Sequence, residues 1–156
     1  MHRKITLIII HCSATPEGKD YTVADIDRWH KARGYNCKGI HIGYHYVIYR
    51  DGSIHPGRPE EMQGAHVKDH NAHSIGICYI GGLRLKHSDP PETYIPADTR
   101  TPAQKASLLQ LLKQLKSRYP NAIIVSHHTF NPQKPCPCFD ADHEYLQLSN
   151  NQDGSN

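Results

Sequence analysis

Three short apolar runs constrain the fold of this chain most strongly. Residues 5–11 (ITLIIIH) form a run with no polar face, and residues 74–80 (SIGICYI) and 122–126 (AIIVS) are similarly apolar. Runs of this length and composition are typical of strands buried on both sides. His11 ends the first run and His127 directly follows the last. The sequence therefore predicts a buried sheet whose strand ends present histidines to a cleft.

Two helices are predicted between these strands. Residues 22–33 begin with Thr22 and Asp25 at the spacing of a capping box, and Gly34 follows the last turn. Residues 101–119 begin with a Thr-Pro pair and carry leucines at helical spacing. Each helix thus has both a start signal and an apolar face that can cover a sheet.

The remaining segments complete the order of elements. Residues 44–49 alternate like a strand, and Asp51-Gly52 predicts a hairpin turn into a short strand at 53–55. Residues 83–101 are polar and rich in proline, and this composition predicts a loop.

A single domain accounts for the chain of 156 residues. We expect this domain to span residues 1–148, with a short helix at 141–148, and the polar residues 149–156 to form a disordered tail. The order β-α-β-β-β-α-β predicts an α/β fold of mixed α+β type, in which helices flank a mixed central sheet.

Composition limits the classes of partner. No apolar run approaches the roughly 20 residues of a membrane helix, and no secretory signal is recognisable, so we expect a protein that is cytoplasmic when made. The five cysteines are an odd number, which favours reduced thiols over a disulfide framework. A net charge of +3 is compatible with an anionic polymer but too small to indicate nucleic acid. We expect a monomer that binds neither nucleic acid nor membranes.

The segment HHTFNPQKPCPCFD (residues 127–140) carries two histidines and two cysteines. A catalytic zinc site takes three ligands from His, Cys and carboxylate side chains and leaves one position open. His11 with one histidine and one cysteine of this segment would supply such a set. Spacing alone leaves open which of His127 and His128, and which of Cys136 and Cys138, are ligands.

Seven segments give the chain a specific resemblance. It resembles the zinc-dependent N-acetylmuramoyl-L-alanine amidases of the amidase-2 family, most closely those of the phage T7 lysozyme type, which are related to peptidoglycan recognition proteins. The segments are IIIHCSAT (8–15), DRWHKARG (27–34), GYHYVIYRDG (43–52), GAHVKDHN (64–71), NAHSIGICYIGG (71–82), TPAQ (101–104) and HHTFNPQKPCPCFD (127–140).

The resemblance implies a function and a set of site residues. The family hydrolyses the amide between N-acetylmuramic acid and L-alanine in peptidoglycan, with Zn²⁺ as cofactor. Its zinc ligands correspond to His11, His127 and Cys136. Its active-site tyrosine corresponds to Tyr44, and its active-site lysine, which would stabilise an oxyanion, corresponds to Lys134.

Weaker expectations concern the neighbours of these residues. His66 and His73 are candidates for substrate contact, and His128 is expected to support the site without binding metal. Asp140 is expected to cap the following helix. Cys138 stands where the family pattern predicts serine or another small residue.

Alternative functions remain at this stage. A non-catalytic peptidoglycan-binding protein, an endopeptidase that cleaves the stem peptide, and a structural zinc site with Cys138 as fourth ligand all use parts of the same pattern. An amidase made without an export signal would reach the cell wall after release, as phage endolysins do, or by a dedicated export route.

Overall fold

A computed structural model describes residues 3–151, so residues 152–156 of the predicted tail lie outside the described residues. The elements are β1 (Leu7–Cys12), β2 (Thr15–Pro16), α1 (Val23–Ala32), β3 (Tyr46–Ile48), β4 (Ile54–Pro56), a 3₁₀ turn (Asn71–His73), β5 (Ser74–Tyr79), β6 (Gly82–His87), β7 (Thr93–Pro96), α2 (Pro102–Arg118), β8 (Ile123–Ser126), α3 (His127–Phe130), α4 (Ala141–Glu144) and α5 (Leu146–Ser149).

The central sheet has five strands in the order β4-β3-β5-β1-β8. Strand β1 runs parallel to both β5 and β8, β3 runs parallel to β5, and only β4 is antiparallel to its neighbour. The three apolar runs of the sequence are thus the three adjacent strands β5, β1 and β8. The predicted mixed α/β fold with one mixed central sheet is confirmed.

Alternation along β1 divides the core between the two faces of the sheet. Ile8 and Ile10 pack with leucines of α2 on one face. Ile9 packs with Val67 and Val125 on the other face. By the same alternation, His11 faces the side of Ile9, whereas Cys12 belongs to the cluster of Ile8 and Ile10. His11 and Cys12, neighbours at the end of β1, therefore face opposite sides of the sheet.

Both predicted helix starts are confirmed. The Thr22 side chain accepts a hydrogen bond from the Asp25 amide, and the Asp25 carboxylate accepts one from the Thr22 amide. Thr101 and Gln104 form the same reciprocal capping box at α2. The buried Gln104 side-chain amide also donates to the carbonyl of Ile48 in β3 and to that of Ile80, directly after β5, so this cap fixes α2 against the sheet.

The prediction of a loop at 83–101 is wrong. Strands β6 and β7 form an antiparallel hairpin here, and with β2 they make a second sheet in the order β2-β6-β7. Most side chains of both strands are exposed, including Leu85 and Ile95. Backbone pairing holds this hairpin without an apolar face, and for that reason hydrophobic patterning gave no sign of it.

The predicted C-terminal helix is divided into α4 and α5. Asp140 caps α4 by accepting a hydrogen bond of 3.1 Å from the His143 amide, as expected. Ser149, the first residue of the predicted polar tail, is buried, and its hydroxyl accepts from the Ile124 amide at 2.8 Å. None of the helices within residues 3–151 is long and apolar enough to span a membrane.

Candidate active site

Three side chains that the sequence places far apart meet at one edge of the central sheet. His11, His127 and Cys136 each offer a ligand atom, and these atoms lie within 4.8 Å of one another. His11 is the penultimate residue of β1, and His127 begins α3 directly after β8. Because β1 and β8 are parallel neighbours, their carboxyl ends meet at the same edge, where α/β sheets commonly bind ligands.

Cys136 is held in the site by backbone contacts. Its Sγ accepts a hydrogen bond of 3.1 Å from the Cys12 amide, and its carbonyl accepts one of 2.8 Å from the His128 amide. The Tyr79 hydroxyl donates to the Pro137 carbonyl at 2.7 Å. The loop between α3 and α4 is thus attached to both β1 and β5, which places the thiol beside the two histidines.

His11 is oriented by His66. The Nε2 atom of His11 lies 2.8 Å from Nδ1 of His66, and Nε2 of His66 lies 3.1 Å from the Ser74 hydroxyl. A Cβ on Gly76 would lie 2.8 Å from the His66 ring, so glycine there leaves the space for that ring. With its Nε2 engaged, His11 has Nδ1 available as the ligand atom.

The histidines are held in the form that binds metal. Burial, followed by the neighbouring His66 and His127, lowers the pKa of His11 well below its ordinary value. Burial, followed by the Lys134 ammonium, lowers the pKa of His127. Both imidazoles are therefore neutral near pH 7, as metal coordination requires.

Tyr44 forms a wall of the site. Its ring centroid lies 4.9 Å from that of His11 and 5.2 Å from that of His30. Burial raises the pKa of the Tyr44 hydroxyl well above its ordinary value, so the hydroxyl is a hydrogen-bond donor at neutral pH. His30 is buried, and its Nδ1 accepts a 2.8 Å hydrogen bond from the Gly43 amide, which positions the turn before Tyr44.

His11, His127 and Cys136, together called the donor group, lie beside a cleft of about 450 Å³. Among the described residues that line it, the cationic side chains are Arg33, Lys68 and Lys134, and no carboxylate is present. Arg33 and Lys68 could not be recognised from the sequence, because isolated basic residues in polar segments carry no pattern. The same holds for Asn71, whose Oδ1 accepts from the His66 and Val67 amides at 2.9 Å and so shapes the cleft wall.

A larger cavity of about 600 Å³ lies near the opposite end of β1. Its polar lining includes Arg3, Glu60 and Tyr119. These groups already bond to one another or to the backbone, since Glu60 accepts from Tyr119 at 2.7 Å and Arg3 donates to the Glu60 carbonyl. No residue of the donor group lines this cavity, so its larger volume does not make it the candidate active site.

The structure separates the remaining expected residues. His66 lines the cleft but also contacts His11, whereas His73 is absent from the lining and packs its ring edge-on against His70 at 5.5 Å. His128 is exposed, and its Nδ1 contacts the Lys134 carbonyl at 2.8 Å, so it supports the loop. The side chains of His127 and His128 point in different directions because the two residues are neighbours in α3, where successive side chains rotate around the helix axis, and not on a strand. Cys138 lies outside the donor group.

The sequence profile described as N-acetylmuramoyl-L-alanine amidase (Amidase_2) matches residues 1–139. The chain belongs to this amidase family. It is 40% identical over 133 residues to the endolysin of Klebsiella phage KP32 and 39% identical over 133 residues to the endolysin of Escherichia phage T7. Each alignment covers 85% of this chain and 80% of the relative. The expected kinship with amidases of the phage T7 type is confirmed.

Solved structures of the amidase family share the fold. The N-acetylmuramoyl-L-alanine amidase LysC from Clostridium intestinale URNW superimposes with a TM-score of 0.73 at 28% identity, covering 94% of this chain and 86% of that one. Drosophila PGRP-LB superimposes with a TM-score of 0.70 at 22% identity, covering 96% and 84%. At that identity PGRP-LB supports the fold alone.

Proposed function

We propose that this chain is a zinc-dependent amidase that hydrolyses the bond between N-acetylmuramic acid and L-alanine in bacterial peptidoglycan. The observation that carries the proposal is the convergence of His11, His127 and Cys136 within 4.8 Å at the end of a cleft, in a chain of the amidase family. By this proposal the protein acts on the cell wall as a monomer, as an endolysin.

The donor set fits a catalytic zinc ion. Two neutral imidazoles and one thiol are borderline and soft ligands that Zn²⁺ prefers, and three protein ligands leave a position for water or substrate. Cys138 does not join them, which argues against a closed structural site with four protein ligands. When bound there, Zn²⁺ would polarise the substrate carbonyl and lower the pKa of a water molecule.

We assign Lys134 and Tyr44 supporting roles in the reaction. Both line the cleft beside the donor group. The Lys134 ammonium supplies a positive donor for the oxyanion that develops on the carbonyl oxygen. In this proposal the Tyr44 hydroxyl, which stays protonated, orients the attacking water, shuttles a proton or donates to the tetrahedral intermediate.

His66 and His128 act by positioning other groups. His66 holds Nε2 of His11, which leaves Nδ1 available as the ligand atom, and the Ser74 hydroxyl holds His66 in turn. His128 binds the Lys134 carbonyl and so fixes the backbone of the segment that carries the ammonium. This proposal adds an orienting role for His66 to the expected substrate contact, which stays a prediction.

The charge of the cleft suits the substrate class. Arg33, Lys68 and Lys134 line it, and no acidic side chain does so within residues 3–151. The stem peptide of peptidoglycan carries carboxylates, which such a lining attracts.

One digestion experiment tests the function. Purified peptidoglycan is treated with the zinc-loaded protein and the products are identified by mass spectrometry. We expect free L-alanine N-termini and intact glycan strands. New N-termini inside the stem peptide would instead indicate an endopeptidase, and binding to the wall without any released product would indicate a recognition protein.

A further inference from the structure

Cys138 is the thiol that the donor group leaves out. Its Sγ lies 3.8 Å from the Sγ of Cys12, a residue 126 positions away along the chain. Cys12 is buried at 5% exposure and Cys138 is half-buried. Two thiols that are remote in sequence therefore meet beside the site, on the face of the sheet away from His11.

The surroundings leave room for this pair. A Cβ on Gly82 would lie 2.6 Å from Sγ of Cys12, so only glycine keeps that space free. The Gly82 carbonyl is 3.4 Å from Sγ of Cys138. A disulfide requires the sulfur atoms to approach to about 2.05 Å, which is closer than their present separation of 3.8 Å.

Other pairings are less favourable. A bridge between Cys136 and Cys138 would close a very small ring through Pro137, which disulfide geometry disfavours. Cys136 also belongs to the donor group, so its thiolate would bind the metal in the zinc-loaded protein. Cys12 and Cys138 are then the two neighbouring thiols that remain free to react.

We propose that Cys12 and Cys138 form a disulfide when the protein meets a disulfide oxidant outside the reducing cytoplasm, and that this bond ties the strand carrying His11 to the loop carrying Cys136. The inference rests on the proposed function in one respect, because a wall substrate lies in a compartment where disulfides persist. The bond would close a loop of more than a hundred residues around the site.

The chemistry balances with oxidised glutathione as the oxidant. The more exposed Cys138 attacks it, forming a mixed disulfide and releasing one glutathione; Cys12 then displaces the second. Two protein thiols become one disulfide, and the oxidant is reduced to two thiols.

The test uses the zinc-loaded Cys37→Ser protein, which removes a half-exposed thiol located away from the pair. The protein is incubated with oxidised glutathione, and its disulfides are mapped by mass spectrometry of unreduced peptides. We expect a link between Cys12 and Cys138, unchanged zinc content, and a rise of roughly 5–15 °C in the thermal midpoint that a reductant reverses. The Cys138→Ser variant should show no such rise.

Two outcomes would overturn the inference. One is a protein that keeps all its thiols free after oxidation, and the other is a bridge that includes Cys136 and expels the metal. Peptide mapping requires no turnover, so it is independent of the amidase assay. If the Cys12–Cys138 bond forms but the protein leaves peptidoglycan intact, the proposed function is wrong and the disulfide proposal stands.

Discussion

At the scale of single residues, Cys136 and Cys138 differ in location more than in chemistry. Cys136 lies with both histidines, whereas Cys138 lies beside Cys12. We expect Cys136→Ala to lose bound zinc and to reduce peptidoglycan hydrolysis more than about 100-fold, since losing a ligand costs more than losing one of its outer partners. Cys138→Ala should retain both properties, as measured by metal analysis and turbidity loss. Loss of zinc from Cys138→Ala alone would reverse the assignment of the ligand.

His66 and His73 provide a matched pair, because both are histidines that the sequence suggested for substrate contact. His66 contacts Nε2 of His11, whereas His73 packs against His70 away from the cleft. We expect His66→Ala to weaken zinc binding by about 10–100-fold, as loss of an orienting partner does. His73→Ala should leave zinc affinity unchanged in a chelator competition. Equal affinities for the two variants would exclude the orienting role.

At the scale of elements, Arg100 joins the segment after β7 to the C-terminal helices. Its side chain is 2% exposed, binds Asp98 at 2.9 Å and Glu144 at 2.9 Å, and lies 3.4 Å over the Phe139 ring. We expect Arg100→Ala to lower the free energy of unfolding by about 3 kcal/mol, at the lower end of buried ion pairs because both carboxylates are partly exposed. Arg100→Lys should recover only part of this, since lysine lacks the bidentate fork. Urea denaturation measures both variants.

The same cluster predicts a dependence on pH. Hydrogen bonds from Arg100 lower the pKa of Glu144 below its ordinary value, against the effect of burial. A carboxyl whose pKa is depressed by folding adds stability above its unfolded pKa and loses it as the pH falls through the folded one. The stability difference between the wild type and Glu144→Gln should therefore be largest near pH 7 and shrink below about pH 4. A difference that grew on acidification would contradict this account.

Elements that bury apolar side chains or carry caps could be predicted from the sequence, and others could not. The apolar residues of β1, β5 and β8 predict buried strands, and Thr22 and Thr101 predict helix starts. The hairpin of β6 and β7 relies on backbone pairing with exposed side chains, so its sequence resembles a loop. In the site, strand ends indicated His11 and the pair His127 and His128. The choice of His127 over His128, and of Cys136 over Cys138, depended on family resemblance. The contact of His66 with His11 is long-range and left no local pattern.

At the scale of the whole molecule, the candidate metal site joins three parts of the chain that are far apart in the sequence. The ligands come from β1, from the start of α3 after β8, and from the loop before α4. An ion that binds only the assembled set stabilises the folded state, by about 4 kcal/mol at a thousandfold excess over its dissociation constant. For a domain of this size we therefore expect chelation to lower the thermal midpoint by roughly 8–16 °C.

Calorimetry with and without a chelator measures this shift, and Cys136→Ala is the control that should show none. Re-addition of Zn²⁺ should restore the midpoint of the wild type, while Mg²⁺ should not, because imidazole and thiolate ligands disfavour a hard cation. Identical melting curves before and after chelation would mean that these three side chains hold no metal in the folded protein. In that case the convergence of β1, β8 and the loop before α4 would have to be explained by packing alone.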